Sequence, residues 1–144
     1  MPVFLDTPEG RSRAAWTLMR LVLAGLIAAH GWVRLLDHGV VGFGEWLDGQ
    51  GIPLGFAIAA FITGFEIVGT LLLAAGRFVF PLTLVYAFIY AMGIVLVHAP
   101  AGWFVVGHGR NGMEYSVLLI AALLCVGSQH VRPHRERLSA RSGS

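Results

Sequence analysis

Charged side chains are scarce in this 144-residue chain, and lysine is missing altogether. Only 12% of the residues are charged and 56% are hydrophobic, whereas a soluble domain carries about 25% charged residues. So few charges cannot cover a water-facing surface, and the composition therefore predicts a membrane protein. The ten basic side chains are all arginines, the net charge is only +2, and most of them lie in the tails. This distribution argues against nucleic acid as a partner and favours a membrane surface.

Cysteine is almost absent as well, because Cys125 is the only one. A disulfide within the chain is therefore excluded. Thiol–disulfide enzymes built on membrane helices need paired cysteines. That chemistry is excluded within this chain, although a partner could supply it.

Four long apolar runs organise the sequence. A transmembrane helix needs about 20 mainly apolar residues, and the runs near this length are about 15–36, 54–76, 78–98 and 111–127. The predicted fold is an all-α membrane protein, a four-transmembrane-helix bundle over residues 15–128. Residues 1–14 and 129–144 are predicted to be tails. The fourth run is short and needs its polar start, or a locally thin bilayer, to span.

A short helix is predicted in the loop between the first two runs. Phe43, Trp46 and Leu47 are spaced i, i+3 and i+4, with acidic residues between them. This spacing is typical of a helix that lies in the membrane interface.

Arginine positions predict the orientation. Six arginines fall in the two tails and Arg77 lies in the second loop, whereas only Arg34 and Arg110 lie near the other loops. Because positive residues stay on the cytoplasmic side, we expect an inner-membrane protein with both termini cytoplasmic. A cleaved signal peptide over 11–29 is the alternative, but the apolar pattern continues beyond it.

Glu66 lies near the middle of the second apolar run. A charge at bilayer depth costs about 2.5–3.5 kcal/mol on insertion scales, so such a residue is a functional-site hypothesis by default. Each run carries polar residues on one face, and lipid cannot satisfy them. We therefore expect a polar cluster in the outer half of the bundle, with these candidate site residues: His30, Arg34, Glu66, Tyr90, His98 and Glu114.

Structural and functional roles compete for each candidate. Glu66 is either a proton donor or acceptor for a quinone, or a carboxyl that fixes helix register by bonding Thr63, Thr70 or a tyrosine. His98 and Glu114 are expected to form a hydrogen-bonded pair that binds a quinone carbonyl or relays protons. The alternative for Glu114 is the favourable position of a negative charge in a first helical turn.

The remaining candidates carry weaker signals. His30 suits proton relay, and its alternative is a hydrogen bond between helices. We expect Arg34 to pair with Asp37 or with an outer-leaflet phosphate. Tyr90 is either a packing residue or a contact for a quinone ring.

Metal and haem are not expected. Di-iron bundles carry Glu-x-x-His pairs on one helix, and neither Glu66 nor Glu114 has a histidine three residues on. Haem between His30 and His98 is sterically conceivable, but nothing else in the sequence favours it.

Several short motifs occur in a characteristic order. They are His30-Gly31-Trp32-Val33-Arg34-Leu35, Gly42-Phe43, Trp46-Leu47, Gly51-Ile52-Pro53, Glu66 with Gly69, and Gly112-Met113-Glu114-Tyr115 with Leu118-Leu119. Together they resemble the DoxX family over roughly residues 15–128. Arg34 stands where the family often has lysine, which keeps the charge but excludes Schiff-base chemistry and proton carriage.

The resemblance implies a four-span inner-membrane protein. Family members are linked to redox chemistry, including the DoxD-type membrane subunit of a thiosulfate–quinone oxidoreductase. We therefore predict a quinone-linked redox subunit, in which Glu66, His98, Glu114 and His30 serve the chemistry while Tyr90 and Arg34 help to bind the quinone. No residue here carries electrons, so a protein partner is expected to supply them. A non-enzymatic assembly subunit and a small-solute or proton transporter are the alternatives, and a homo-oligomer is left open.

Overall fold

The described residues form five helices. The computed structural model describes residues 6–107 and 110–131, and within these ranges every regular element is helical. In chain order the helices are α1 (Pro8–Leu36), α2 (Gly39–Gly49), α3 (Gly55–Ala74), α4 (Val79–Ala101) and α5 (Glu114–Ser128). The all-α prediction is confirmed. Most of the predicted C-terminal tail, residues 132–144, lies outside the described residues.

Helix α1 begins at Pro8, well before the predicted start at residue 15. Thr7 caps it, because its Oγ1 accepts a hydrogen bond from the Gly10 amide at 3.1 Å, and proline suits the first helical position. The sequence placed the start too late because Arg11 and Arg13 interrupt the apolar run that was used to predict the helix. The predicted N-terminal tail is therefore partly helix.

Helices α3 and α4 are joined by a tight turn at Gly76. Gly76 has φ +73°, which glycine adopts without the steric cost that a Cβ imposes. A Cβ here would also lie 2.5 Å from Nη1 of Arg20. The backbone conformation therefore requires glycine, while the Arg20 head group could move aside.

The four long helices form a ring. The closest pairings are α1 with α3 and α4 with α5, and weaker α1–α5 and α3–α4 contacts close the ring. The buried core lies in the half of the bundle nearest the Gly76 turn, and its largest fully buried side chains include Ile27, Leu73, Tyr86 and Leu123. In the other half the helices leave room for a cavity.

Helix α2 confirms the short helix predicted in the first loop, and it packs mainly on α3. Gly44 lies against the backbone of Phe56, and Asp48 Oδ1 accepts a hydrogen bond from the Gly55 amide at 2.9 Å. Leu47 is buried. The helix is thus fixed against the bundle at the start of α3.

Three helices, α1, α3 and α4, are long and apolar enough to cross a membrane. Helix α5 has 15 residues, which is about 22 Å at 1.5 Å per residue, short of a hydrocarbon core of about 30 Å. Large apolar side chains such as Leu18, Phe61 and Phe88 are exposed around the outside of the ring. The chain is therefore an integral, multi-pass membrane protein.

Candidate functional site

A cavity of about 370 Å³ lies between α1, α2, α3 and α4, in the half of the bundle away from the Gly76 turn. We call it the polar cavity, because five of its lining side chains, here named the polar wall, can exchange protons or hydrogen bonds: His30, Arg34, Glu66, Tyr90 and His98. The rest of the lining is mostly apolar, and this apolar wall includes Phe43, Trp46 and Leu47 of α2 and Ile58 and Ile62 of α3. The structure thus brings together five of the six predicted site residues.

An ion pair joins α1 to α3 at this cavity. Nη1 of Arg34 donates to Oε2 of Glu66 at 2.7 Å and to Oγ1 of Thr63 at 3.2 Å. Glu66 is only 3% exposed and the Arg34 side chain 20%. The Arg34 guanidinium also lies 4.6 Å from the centre of the Phe43 ring, within cation–π range.

The expected pairing of Arg34 with Asp37 was therefore wrong, and its contact with a phosphate stays a prediction. Asp37 follows α1 as its C-cap and is exposed, whereas Glu66 is buried and would be an isolated charge without Arg34. A buried charge is strongly unfavourable unless it is paired. The structural alternative for Glu66 was a side-chain carboxyl bonded to a threonine or a tyrosine, and this bond is also not found. Thr70 Oγ1 donates instead to the backbone carbonyl of Glu66 at 2.6 Å.

Gly31 allows the two helices to come this close. A Cβ at Gly31 would lie 2.9 Å from Cβ of Glu66 and 3.1 Å from the Thr63 carbonyl oxygen. Gly31 is one helical turn before Arg34, so this close approach lets the arginine reach the carboxylate. The ion pair thus depends on a glycine whose role the sequence alone did not reveal.

The rings of Tyr90 and His30 are in contact within the cavity lining. Their ring centres are 6.2 Å apart with the planes at 71°. The Tyr90 hydroxyl is buried and has no hydrogen-bond partner among the described residues. Buried hydroxyls are normally bonded, so this group marks a place where a ligand acceptor fits. Tyr86, by contrast, donates to the Phe65 carbonyl at 2.8 Å and is a core residue.

His98 lies at the end of a π-helical turn, Ile94–His98, within α4. Pro100 lacks the N–H that would bond the carbonyl four residues back, which gives a local reason for the irregular turn. Nδ1 of His98 donates to the Asn111 carbonyl at 2.7 Å. That bond leaves Nε2 as the acceptor nitrogen of a neutral ring.

Glu114 does not line the cavity, and its expected hydrogen bond to His98 is not formed. Its Oε1 accepts from the Val105 amide at 2.9 Å instead. The loop between α4 and α5 is further held by three backbone bonds, in which the amides of residues 112–114 donate to the carbonyls of residues 104, 102 and 103 respectively. His98 and Glu114 thus each bind a different part of this loop, because the loop carbonyls and amides are nearer partners.

The apolar wall is the part of the site that sequence reasoning missed. Phe43 and Trp46 stack with ring centres 6.1 Å apart and line the cavity. The helical spacing of Phe43, Trp46 and Leu47 predicted an apolar face of α2, but it did not show that this face would pack towards α3.

Among the described residues, no group of three or more histidine, cysteine, aspartate or glutamate side chains could hold a metal ion.

The residues of the polar wall lie in a stretch of sequence that matches a known family. The DoxX sequence model matches residues 15–99, more than half of the 144-residue chain, and this range includes all five polar wall residues but not α5. No curated protein and no solved structure matches the chain. The match confirms the resemblance found in the motifs, and the chain belongs to the DoxX family.

Proposed function

We propose that this protein is a quinone-linked redox subunit that binds a quinone head group in the polar cavity and works with an electron-donating protein partner. The observation that carries the proposal is the composition of the cavity lining, which is mostly apolar with a few polar side chains. A quinone ring is flat and apolar on its faces and carries two carbonyl acceptors at its edge. Small-molecule sites combine mostly apolar walls with a few placed polar groups, and the cavity has this composition.

The polar wall supplies both donors and proton carriers. The Tyr90 hydroxyl and the unused N–H groups of Arg34 donate hydrogen bonds to a carbonyl oxygen. Two-electron reduction of a quinone takes up two protons, one at each carbonyl oxygen, and the electrons come from the partner. His30 and His98 hold and pass protons, because an imidazole ring can donate a proton from one nitrogen and accept one at the other. Glu66 keeps Arg34 in place, and Glu114 shapes the loop that positions His98.

The lipid-facing border of the cavity suits a ligand that dissolves in the bilayer. Phe88 and Met92 of α4 line the cavity and are also exposed on the outside of the chain. Helices α3 and α4 make few contacts with each other. A quinone enters between these two helices from the hydrocarbon region.

Tyr90→Phe is the most specific test, because it removes one hydroxyl and leaves the ring. Full-length protein would be purified in mild detergent, extracted with organic solvent and assayed for quinone by mass spectrometry. Tyr115→Phe is the matched control, since Tyr115 is exposed and does not line the cavity. We expect bound quinone in the native protein and in the control, and a several-fold loss in Tyr90→Phe and in Glu66→Gln. Equal quinone in all four proteins would contradict the proposed site.

A non-enzymatic assembly subunit is the second candidate, and the Arg34–Glu66 pair favours it. This pair satisfies both charges within the chain and so could serve helix pairing alone. In that case the protein retains no quinone, and Glu66→Gln lowers stability without changing recovery of a partner. Alanine substitution of the exposed loop residues Trp103 and Phe104 would instead abolish that recovery.

We further propose that the chain crosses the inner membrane four times and that both termini lie in the cytoplasm. Helix α5 runs back along α4, since Gly127 lies against Thr83 and Gly112 lies against Trp103. The arginine distribution supports the orientation.

Single cysteines placed at Thr7 and Gln129, in a Cys125→Ser background, test this topology with a membrane-impermeant thiol reagent. Labelling from the same side supports four spans. Labelling from opposite sides means that α5 does not cross the membrane.

A further inference from the structure

A second cavity, of about 560 Å³, lies at the other end of the bundle, between the start of α1 and the end of α5. Its lining includes Arg13, Arg20 and His130, together with Trp16 and the carboxylate of Glu9. We call it the basic cavity. It shares no residue with the polar cavity, so it is not part of the site already described.

Arg20 is the central group of the basic cavity. Its guanidinium packs over Gly76 at the α3–α4 turn, where a Cβ would be 2.5 Å from Nη1. Its Nε is buried and has no hydrogen-bond partner among the described residues, and no ion pair involving Arg20 occurs in the described part of the chain. A buried N–H without an acceptor is unfavourable, and the guanidinium that carries it is a cation, so the geometry favours an anionic ligand beside it.

The surroundings supply further contacts for such a ligand. Arg13 lies seven residues before Arg20 on the same helix and lines the same cavity. Glu9 is the one acidic side chain in the lining, and it opposes an anion rather than attracting one.

The depth of the basic cavity points to a lipid. Arg20 lies level with the Gly76 turn that ends α3, so the part of α1 from Pro8 to Met19 projects beyond that turn by about 18 Å at 1.5 Å per residue. Trp16, in this projecting part, is half-buried, and tryptophan prefers the headgroup level of a bilayer. Basic pockets between helices on the cytoplasmic side are suited to anionic headgroups.

We propose that the basic cavity binds the phosphate of an anionic phospholipid, with Arg20 and Arg13 contacting the phosphate and Trp16 packing against the glycerol and upper acyl chain. The lipid bound here joins the start of α1 to the end of α5.

Lipid retention by the full-length protein tests this proposal. Protein in neutral detergent would be titrated with phosphatidylglycerol or with phosphatidylcholine, and bound lipid would be counted by native mass spectrometry. Arg20→Gln and Arg13→Gln should each weaken phosphatidylglycerol binding about fivefold, the effect of about 1 kcal/mol per basic residue near a membrane surface. Arg77→Gln is the matched control, because it removes the same charge at the same end of the bundle but lies outside the cavity.

Two further variants separate binding from misfolding. Glu9→Gln should strengthen phosphatidylglycerol binding, a gain that a misfolded protein cannot produce. Arg20→Lys keeps the charge and should lose less affinity than Arg20→Gln. The assay does not measure quinone, so its result does not depend on whether the polar cavity binds a quinone.

Three outcomes would overturn the proposal. Equal binding of phosphatidylcholine would remove the role of the anionic headgroup. An equal loss in Arg77→Gln and Arg20→Gln would mean diffuse surface charge instead of a site. Full displacement of the lipid by millimolar inorganic phosphate would assign the cavity to a free anion.

Discussion

Removing one member of the Arg34–Glu66 pair is the most informative perturbation of this protein. Glu66→Gln deletes the carboxylate that accepts the 2.7 Å bond from Arg34. The guanidinium then faces a neutral amide oxygen, the Thr63 hydroxyl and the face of Phe43, and it loses its counter-charge. The reverse change, Arg34→Met, leaves a carboxyl that is 3% exposed without its cation.

The expected magnitude follows from the burial of the two groups. Breaking a buried ion pair from one side costs about 3–5 kcal/mol in soluble proteins. Polar contacts between membrane helices are weaker, with a maximum of about 1.7 kcal/mol in double-mutant cycles. Arg34 is 20% exposed and can turn its head group outward. We therefore expect each single change to lower the free energy of unfolding by about 2 kcal/mol.

A double-mutant cycle measures the interaction itself. Unfolding in mixed micelles would be followed for the native protein, both single variants and the double variant Arg34→Met, Glu66→Gln. We expect a coupling of about 1–2 kcal/mol, because the double variant removes both charges at once and leaves neither uncompensated. Glu45→Gln combined with Arg34→Met is the control cycle, since Glu45 is exposed on α2.

A coupling below about 0.5 kcal/mol would refute the reasoning, since additive changes are the mark of independent sites. The same result would mean that the contact contributes nothing beyond its two separate environments.

Three further perturbations test how the helices and loops are held. Gly31→Ala should lower the free energy of unfolding by about 1–2 kcal/mol, because its Cβ would press on α3 and overpacking costs about 1–3 kcal/mol. Gly25→Ala is the control, since a Cβ at Gly25 meets nothing within 4 Å. It should be neutral or slightly stabilising in the same unfolding assay. Gly76→Ala should cost about 1–2 kcal/mol, the strain of a left-handed backbone for a residue with a Cβ, and an unchanged unfolding midpoint would contradict the role of φ +73°. Glu114→Gln weakens the acceptor for the Val105 amide, so amide hydrogen exchange should rise about tenfold or less in the α4–α5 loop, and an effect spread over the whole bundle would show that Glu114 does more than hold this loop.

Much of the fold was readable from local patterns. Scarce charge and long apolar runs predicted the membrane class, and the positions of α3 and α4 match the runs at 54–76 and 78–98 within a few residues. The helical spacing of Phe43, Trp46 and Leu47 predicted α2 correctly. The start of α1 was misplaced because its first turns carry arginines, which a search for apolar residues excludes although they continue a helix readily.

The sequence by itself determined which side chains are too polar for lipid, and therefore which of them must turn inward. Only the tertiary structure decided their partners. Arg34 and Glu66 are 32 positions apart, and helical periodicity places each on a face without saying which two faces meet. Because α1 and α3 approach closely at Gly31, Arg34 pairs with Glu66 and not with Asp37. The loop after α4 likewise offered His98 and Glu114 nearer backbone partners than each other. Pairing across a bundle depends on helix separation and rotation, which are properties of packing and not of any single run of residues.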